Sequence, residues 1–186
     1  MVETEVAVSR DGEHWKRYPR PAYIGHGVHG HRVLHMAYMG EGMVRHGNEI
    51  WQYYLSNPHY HSWFNRTPPQ RAIFRVVQRL DGFVSADAPY TGGTMETRPF
   101  VLSGKKLVLN VKTEATGDVQ VGIEDAEGKP IPGYAVDDCI YVNTDDVAAT
   151  VPWLNKGSDV SSLAGKAVQL VFCMRGAKLF AMQFVP

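Results

Sequence analysis

Histidines and aromatic rings that could recognise a sugar crowd the first third of this chain. All eight histidines, His14, His26, His29, His31, His35, His46, His59 and His61, lie between positions 14 and 61. The segment Asn57-Pro58-His59-Tyr60-His61-Ser62-Trp63-Phe64 follows the tyrosine pair Tyr53-Tyr54. Sugar recognition joins aromatic faces, set against C–H surfaces, to directional polar groups at the edges. Tyr53, Tyr54, His59, His61 and Trp63 supply both kinds and form the candidate carbohydrate-binding set. The alternative is architectural, with Trp51 and Tyr53 packing a sheet and Trp63 closing an interface.

Imidazole also suits zinc, nickel or copper, and His29-x-His31 can place two rings on one side of an extended segment. His59-x-His61 can do the same. Structural zinc sites usually include cysteine, and Cys139 and Cys173 are remote from every histidine. The expectation is therefore no cofactor, with His29 and His31 kept as weak candidates for a divalent metal. Asp137-Asp138 and Asp145-Asp146 are carboxylate pairs that calcium can use, but neither fits an EF-hand loop and both read as turn acids. Glycoside hydrolysis needs two carboxyl groups flanking one bond. Beyond the acids near its start, the histidine-rich part offers only Glu41, between two glycines, and Glu49 at a strand start. Neither is assigned as a catalyst. No nucleophile-elbow sequence is present.

The elements that must hold these residues are strands. Leu107, Leu109 and Val111 alternate with polar or smaller neighbours, as do Val119, Val121 and Ile123, then Val168, Leu170 and Phe172, then Phe180, Met182 and Phe184. Alternation of period two marks half-buried strands. Ser103-Gly104, Thr116-Gly117-Asp118, Glu127-Gly128 and Arg175-Gly176 read as the turns between them. Lys129-Pro130-Ile131-Pro132-Gly133 is excluded from a central strand by its prolines. Asp159 to Gly165 reads as one helical turn capped by Asp159. About seven or eight strands in roughly one hundred residues predict a jelly-roll-like β-sandwich over 79–186.

Residues 1–78 predict four strands, Glu3–Ser9, Val33–Met39, Glu49–Leu55 and Ala72–Gln78, joined by long loops. Four antiparallel strands make one propeller-blade-like sheet, which must bury both faces against neighbours. No second copy of the pattern occurs, so these strands either extend the sandwich or belong to something larger. A strand beginning almost at Met1 favours the second.

The chain of 186 residues is 44% hydrophobic and 20% charged, with a net charge of +0, as for an ordinary globular protein. The balance favours neither nucleic acid nor an anionic membrane as a partner. Residues 1–80 carry ten basic and six acidic side chains, and nine of the ten are arginine. Arginine forks to carboxylates and stacks on rings, which suits a packed polar surface. The opening Met1-Val2-Glu3-Thr4-Glu5 does not read as a signal peptide, and the location stays open.

Several stretches resemble one family in the same order. Ser9-Arg10-Asp11-Gly12-Glu13-His14-Trp15 is similar to a turn on the blades of glycosidase propellers. Gly47-Asn48-Glu49-Ile50-Trp51-Gln52-Tyr53-Tyr54 resembles the strand of their final blade. Arg79-Leu80-Asp81-Gly82-Phe83-Val84-Ser85, Gly92-Gly93-Thr94, Thr97-Arg98-Pro99, Gly128 to Gly133, Asp138-Cys139, Trp153 and Leu163-Ala164-Gly165-Lys166 continue the likeness. Together they resemble the C-terminal portion of bacterial glycoside-hydrolase-like proteins, which pair a five-bladed propeller of the invertase/arabinanase type with a β-sandwich. The resemblance covers the final blade and the sandwich. It implies that earlier blades, which carry most catalytic carboxylates, are absent, and that Tyr53, Tyr54 and a following histidine lie near a central pocket. It implies an exported parent protein, and carbohydrate plus the missing blades as partners. The rival expectations are a stand-alone carbohydrate-binding module and a structural assembly domain completed by a second copy of the chain.

Overall fold

The computed structural model describes residues 1–18, 21–29, 32–58 and 71–186. Among these residues it is all-β, with about 55% strand and no helix of seven residues or more. Two compact units divide it, Met1–Phe83 and Val84–Pro186. The division falls after Phe83 instead of after Gln78. The last strand of the first unit runs through Arg79, Leu80 N–H donates to Asn48 O (2.8 Å), and Gly82 N–H donates to Arg79 O (2.9 Å). The Asp81-Gly82 turn thus closes the first unit, with Asp81 at φ 53°.

In the first unit, β1 (Val8–Ser9) and β2 (Trp15–Lys16) form a hairpin. β3 (Gly27–His29) pairs with β4 (Arg32–Leu34). The main sheet also holds β5 (Met36–Met39) and β6 (Val44–His46), and it is built on β7 (Glu49–Asn57). β8 (Ala72–Arg79) lines one edge of β7, and β5 and β6 share the other. The strand expected over Glu3–Ser9 divides among three partners. Val2 bridges Met36 in parallel, Thr4 bridges Ile24 and Val8–Ser9 joins the hairpin. The strand expected over Val33–Met39 breaks at His35, whose N–H turns to Asn57 O. Val44–His46 is a strand beyond the four expected, because Gly40 to Gly42 looks like a reversal. Gly40 N–H instead donates to Tyr53 O (2.8 Å), which keeps the chain beside β7.

The second unit is one six-stranded sheet: β9 (Ala86–Ala88), β10 (Gly93–Glu96), β11 (Phe100–Val101), β12 (Lys106–Asp125), β13 (Asp145–Thr150) and β14 (Ala167–Val185). Two of the expected turns are not turns. Thr116-Gly117-Asp118 and Arg175-Gly176 are bends inside the continuous strands β12 and β14, which pair from Lys106↔Val185 to Asp125↔Val168 with a register shift between Thr113 and Asp118. A Cβ on Gly117 would stand 2.1 Å from Gly176 O, so the two backbones cross where only glycine fits. Leu107, Leu109 and Val111 before the bend, and Val119, Val121 and Ile123 after it, all enter one buried cluster with Trp153 and Phe172. The ribbon therefore curls round a single core, as bulged strands do. The helical turn expected near Asp159 is present as a 3-10 turn over Ser161–Leu163, with Asp159 Oδ1 accepting from Ser161 N–H (2.8 Å). Trp153 is fully buried, donates from Nε1 to Val121 O (2.9 Å) and meets Tyr134 edge-on at 5.5 Å.

Candidate functional site

Strand β7 decides what the tyrosine pair can do, because neighbouring side chains on a strand face opposite sides. Ile50, Tyr54 and Ser56 are buried. Tyr54 stacks on Phe74 at 5.2 Å and joins Ile24 and Ala37 in a small core. Burial raises its phenol pKa above the ordinary value, as it does that of Tyr23. Tyr23 Oη lies 2.7 Å from Gln52 Oε1 and 2.8 Å from Gln78 Oε1. A phenol has one proton to donate, so one of these amides must donate to it instead. Turning the Gln78 amide does this, since its Nε2 is otherwise a buried donor without a partner.

The opposite face looks outward. Tyr53 and Leu55 on β7, Ile73 and Val77 on β8, Val44 on β6 and Tyr38 on β5 are all exposed, Ile73 at 74%. The cross-strand partners Trp51↔Val77, Tyr53↔Arg75 and Leu55↔Ile73 put the β7 and β8 members in adjacent rows. Trp51 sits among them with its polar edge and ring engaged. Its Nε1 donates to Glu49 Oε2 (2.8 Å), His46 stacks on it at 4.2 Å, and the Arg75 guanidinium lies 4.1 Å from the ring centroid. Tyr53 is thus an exposed ring beside an engaged Trp–Arg–His–Glu group. Tyr54 is a core residue on the other side.

His59, His61 and Trp63, the remaining members of the expected carbohydrate-binding set, lie outside the described residues, as does His31. His29 belongs to β3, and its side chain is also outside the described part. Among the described residues no three His, Cys, Asp or Glu side chains converge as metal ligands do. Asp138 Oδ2 accepts from Ala135 N–H (3.1 Å) in a local turn, whereas Asp145 and Asp146 open strand β13, where Asp146 Oδ1 accepts from Ala148 N–H (2.9 Å). Glu41 is exposed in a bend, and Glu49 is held by the Trp51 indole.

The Ser9–Trp15 turn is closed on itself. Ser9 Oγ accepts from Gly12 N–H (2.8 Å), and Asp11 Oδ1 from Glu13 and His14 N–H (2.9 and 2.8 Å). Trp15 Nε1 donates to Gly12 O (3.1 Å). Backbone donation from His14, with its imidazole at 2.7 Å, holds the Asp11 carboxyl well below the usual carboxylate range.

The outward apolar face had a signal that alternation alone hides. Ile50-Trp51-Gln52-Tyr53-Tyr54-Leu55 and Ile73-Phe74-Arg75-Val76-Val77 are apolar on both faces, the pattern of strands covered on both sides. Comparison with protein families, with curated proteins and with solved structures finds no match for this chain. No helix among the described residues is long and apolar enough to cross a membrane.

Proposed function

We propose that this chain works as the C-terminal part of a glycoside-hydrolase-like protein. Its first unit serves as a propeller blade, and its second as a sandwich of jelly-roll type that stabilises the propeller. The observation that carries this reading is the two-faced sheet. Among the described residues, one face covers a small core that clusters Ile24, Ala37 and Tyr54, while the other holds Tyr53, Leu55, Ile73 and Val77 in solvent. Exposed apolar patches of this kind mark packing surfaces. A propeller blade packs against its neighbours through the faces of its sheet, and one face here is left uncovered.

Carbohydrate contact in this reading comes from His59, His61 and Trp63 together with residues of the neighbouring blades. Tyr54 acts as packing. Catalytic carboxylates come from the other blades, because Glu49 is committed to Trp51 and Glu41 stands exposed in a bend.

The test is assembly. A four-bladed polypeptide, made from an invertase/arabinanase-type propeller by removing its last blade and sandwich, is mixed with the chain and followed by light scattering. A one-to-one complex that is lost in Leu55→Asp/Val77→Asp supports the reading. A chain that ignores the blades, or that pairs with a second copy of itself through the same face, contradicts it. The chain by itself is expected to leave aryl-glycosides intact. Hydrolysis abolished by Glu49→Gln would place the chemistry in this chain instead.

A further inference from the structure

The second unit carries a cleft of about 390 Å³ beside the bend in β14. Its wall includes Asp87, Tyr90, Lys112, Glu114, Gly176 and Lys178. Pro89 O accepts from both Gly92 N–H (3.0 Å) and Gly176 N–H (3.1 Å), which ties the turn bearing Tyr90 to the bend in β14. The ring lies against Gly176, where a Cβ would stand 2.9 to 3.2 Å from its carbons. Yet 55% of the residue is exposed. A flat apolar surface fixed in advance and left in solvent binds a ligand with little ordering cost.

Beside the ring runs a row of charges across four strands. Asp145 faces Lys112, Lys112 faces Lys178, and Lys178 faces Asp87. The outer carboxylates hold the lysines at 3.5 Å (Lys112–Asp145) and 2.5 Å (Lys178–Asp87). Two lysines opposite each other repel, and the flanking aspartates offset this. The row is therefore neutral, so it offers donors and acceptors without a field that would gather anions. Glu114 adds a further acceptor along the same wall.

We infer that this cleft is a binding subsite for a neutral saccharide, with the Tyr90 ring against the sugar's C–H face. Lys112, Lys178, Glu114 and Asp87 meet the hydroxyls. A rigid ring with balanced donors and acceptors matches a ligand that is apolar on one face and polyhydroxylic at its edge. A phosphate would find both lysines already neutralised. The subsite belongs to the second unit and does not use the first unit's sheet, so each reading can fail without the other.

The full chain, labelled with nitrogen-15, is titrated with xylotetraose, cellotetraose, maltotetraose and arabinotetraose while amide shifts are recorded. The expected result is saturable shifts at Gly92 and Gly176 with at least one of these, weakened about tenfold in Tyr90→Ala, the loss of about 1.4 kcal/mol. Glu114→Gln leaves the ring and its ties untouched and is expected to weaken binding severalfold, which keeps the test open if Tyr90→Ala unfolds. No response to any of the four sugars would overturn the proposal. So would unchanged affinity in both variants, or displacement of the sugar by inorganic phosphate.

Discussion

Cys139 shows how a single residue's surroundings set its chemistry. Its side chain is enclosed by the core of the second unit, and burial pushes its thiol up to about 11. In the folded chain it stays a protonated, small apolar group at neutral pH, and thiol reagents are expected to reach it only on unfolding. Labelling with a disulfide reagent at pH 8, before and after adding urea, checks this. The linkage has a definite sign. The unfolded thiol ionises near 9 and the folded one near 11, so the unfolded state binds fewer protons between those values and stability falls as pH rises through them. Denaturation midpoints of the wild type and Cys139→Ala should therefore draw apart above pH 9, with the wild type losing more. The tyrosine pair gives the contrasting lesson. The pairing of aromatic and polar groups in 53–63 is legible in the sequence. That Tyr53 and Tyr54 cannot share a pocket follows only once both are fixed in one strand, where adjacent side chains must diverge.

At the scale of elements, glycine chemistry was legible and its meaning was not. Gly117 and Gly176 look like turn residues because glycine in a β-rich sequence usually marks a reversal. Here they mark a crossing of two backbones within strands of twenty and nineteen residues. A turn and a bulge ask the same of one residue and differ in where the chain goes next, which depends on distant pairing. Gly117→Ala is expected to cost about 3 kcal/mol, at the upper end of overpacking, since its Cβ would meet backbone carbonyls at 2.1 and 2.7 Å. Gly93→Ala, whose Cβ would stand 3.7 Å from the Ala88 Cβ, should be nearly neutral. Urea midpoints for both variants, with m unchanged, check the pair. The alternation that defines β12 and β14 needed no such context, because each half carries its own period-two pattern into the core. The first expected strand, Glu3–Ser9, failed for the opposite reason. Nothing local shows that Val2, Thr4 and Val8 pair with three different partners.

At the scale of the molecule, the two units are unequally built. The second clusters twenty-two buried residues, the first three among those described. At about 2 kcal/mol for each large side chain fully buried, that contrast is large against a net stability of about 5–15 kcal/mol. The chain is expected to unfold in two steps, first Met1–Phe83 and then Val84–Pro186. Calorimetry should resolve two transitions, the earlier one absent from a fragment spanning 84–186. A single transition shared by the whole chain would contradict this. The all-β character follows from sequence pattern. The uncovered face does not, because alternation reports which residues prefer burial and says nothing of whether a partner is present to bury them.

Hydrogen exchange tests the central claim most directly. In the chain alone, amides of Glu49–Asn57 and Ala72–Arg79 are expected to exchange far faster than those of Lys106–Asp125 and Ala167–Val185. Adding the four-bladed polypeptide should slow the first two strands and leave the last two unchanged. Equal protection of all four strands in the isolated chain, with no change on adding the blades, would contradict a first unit made to be covered.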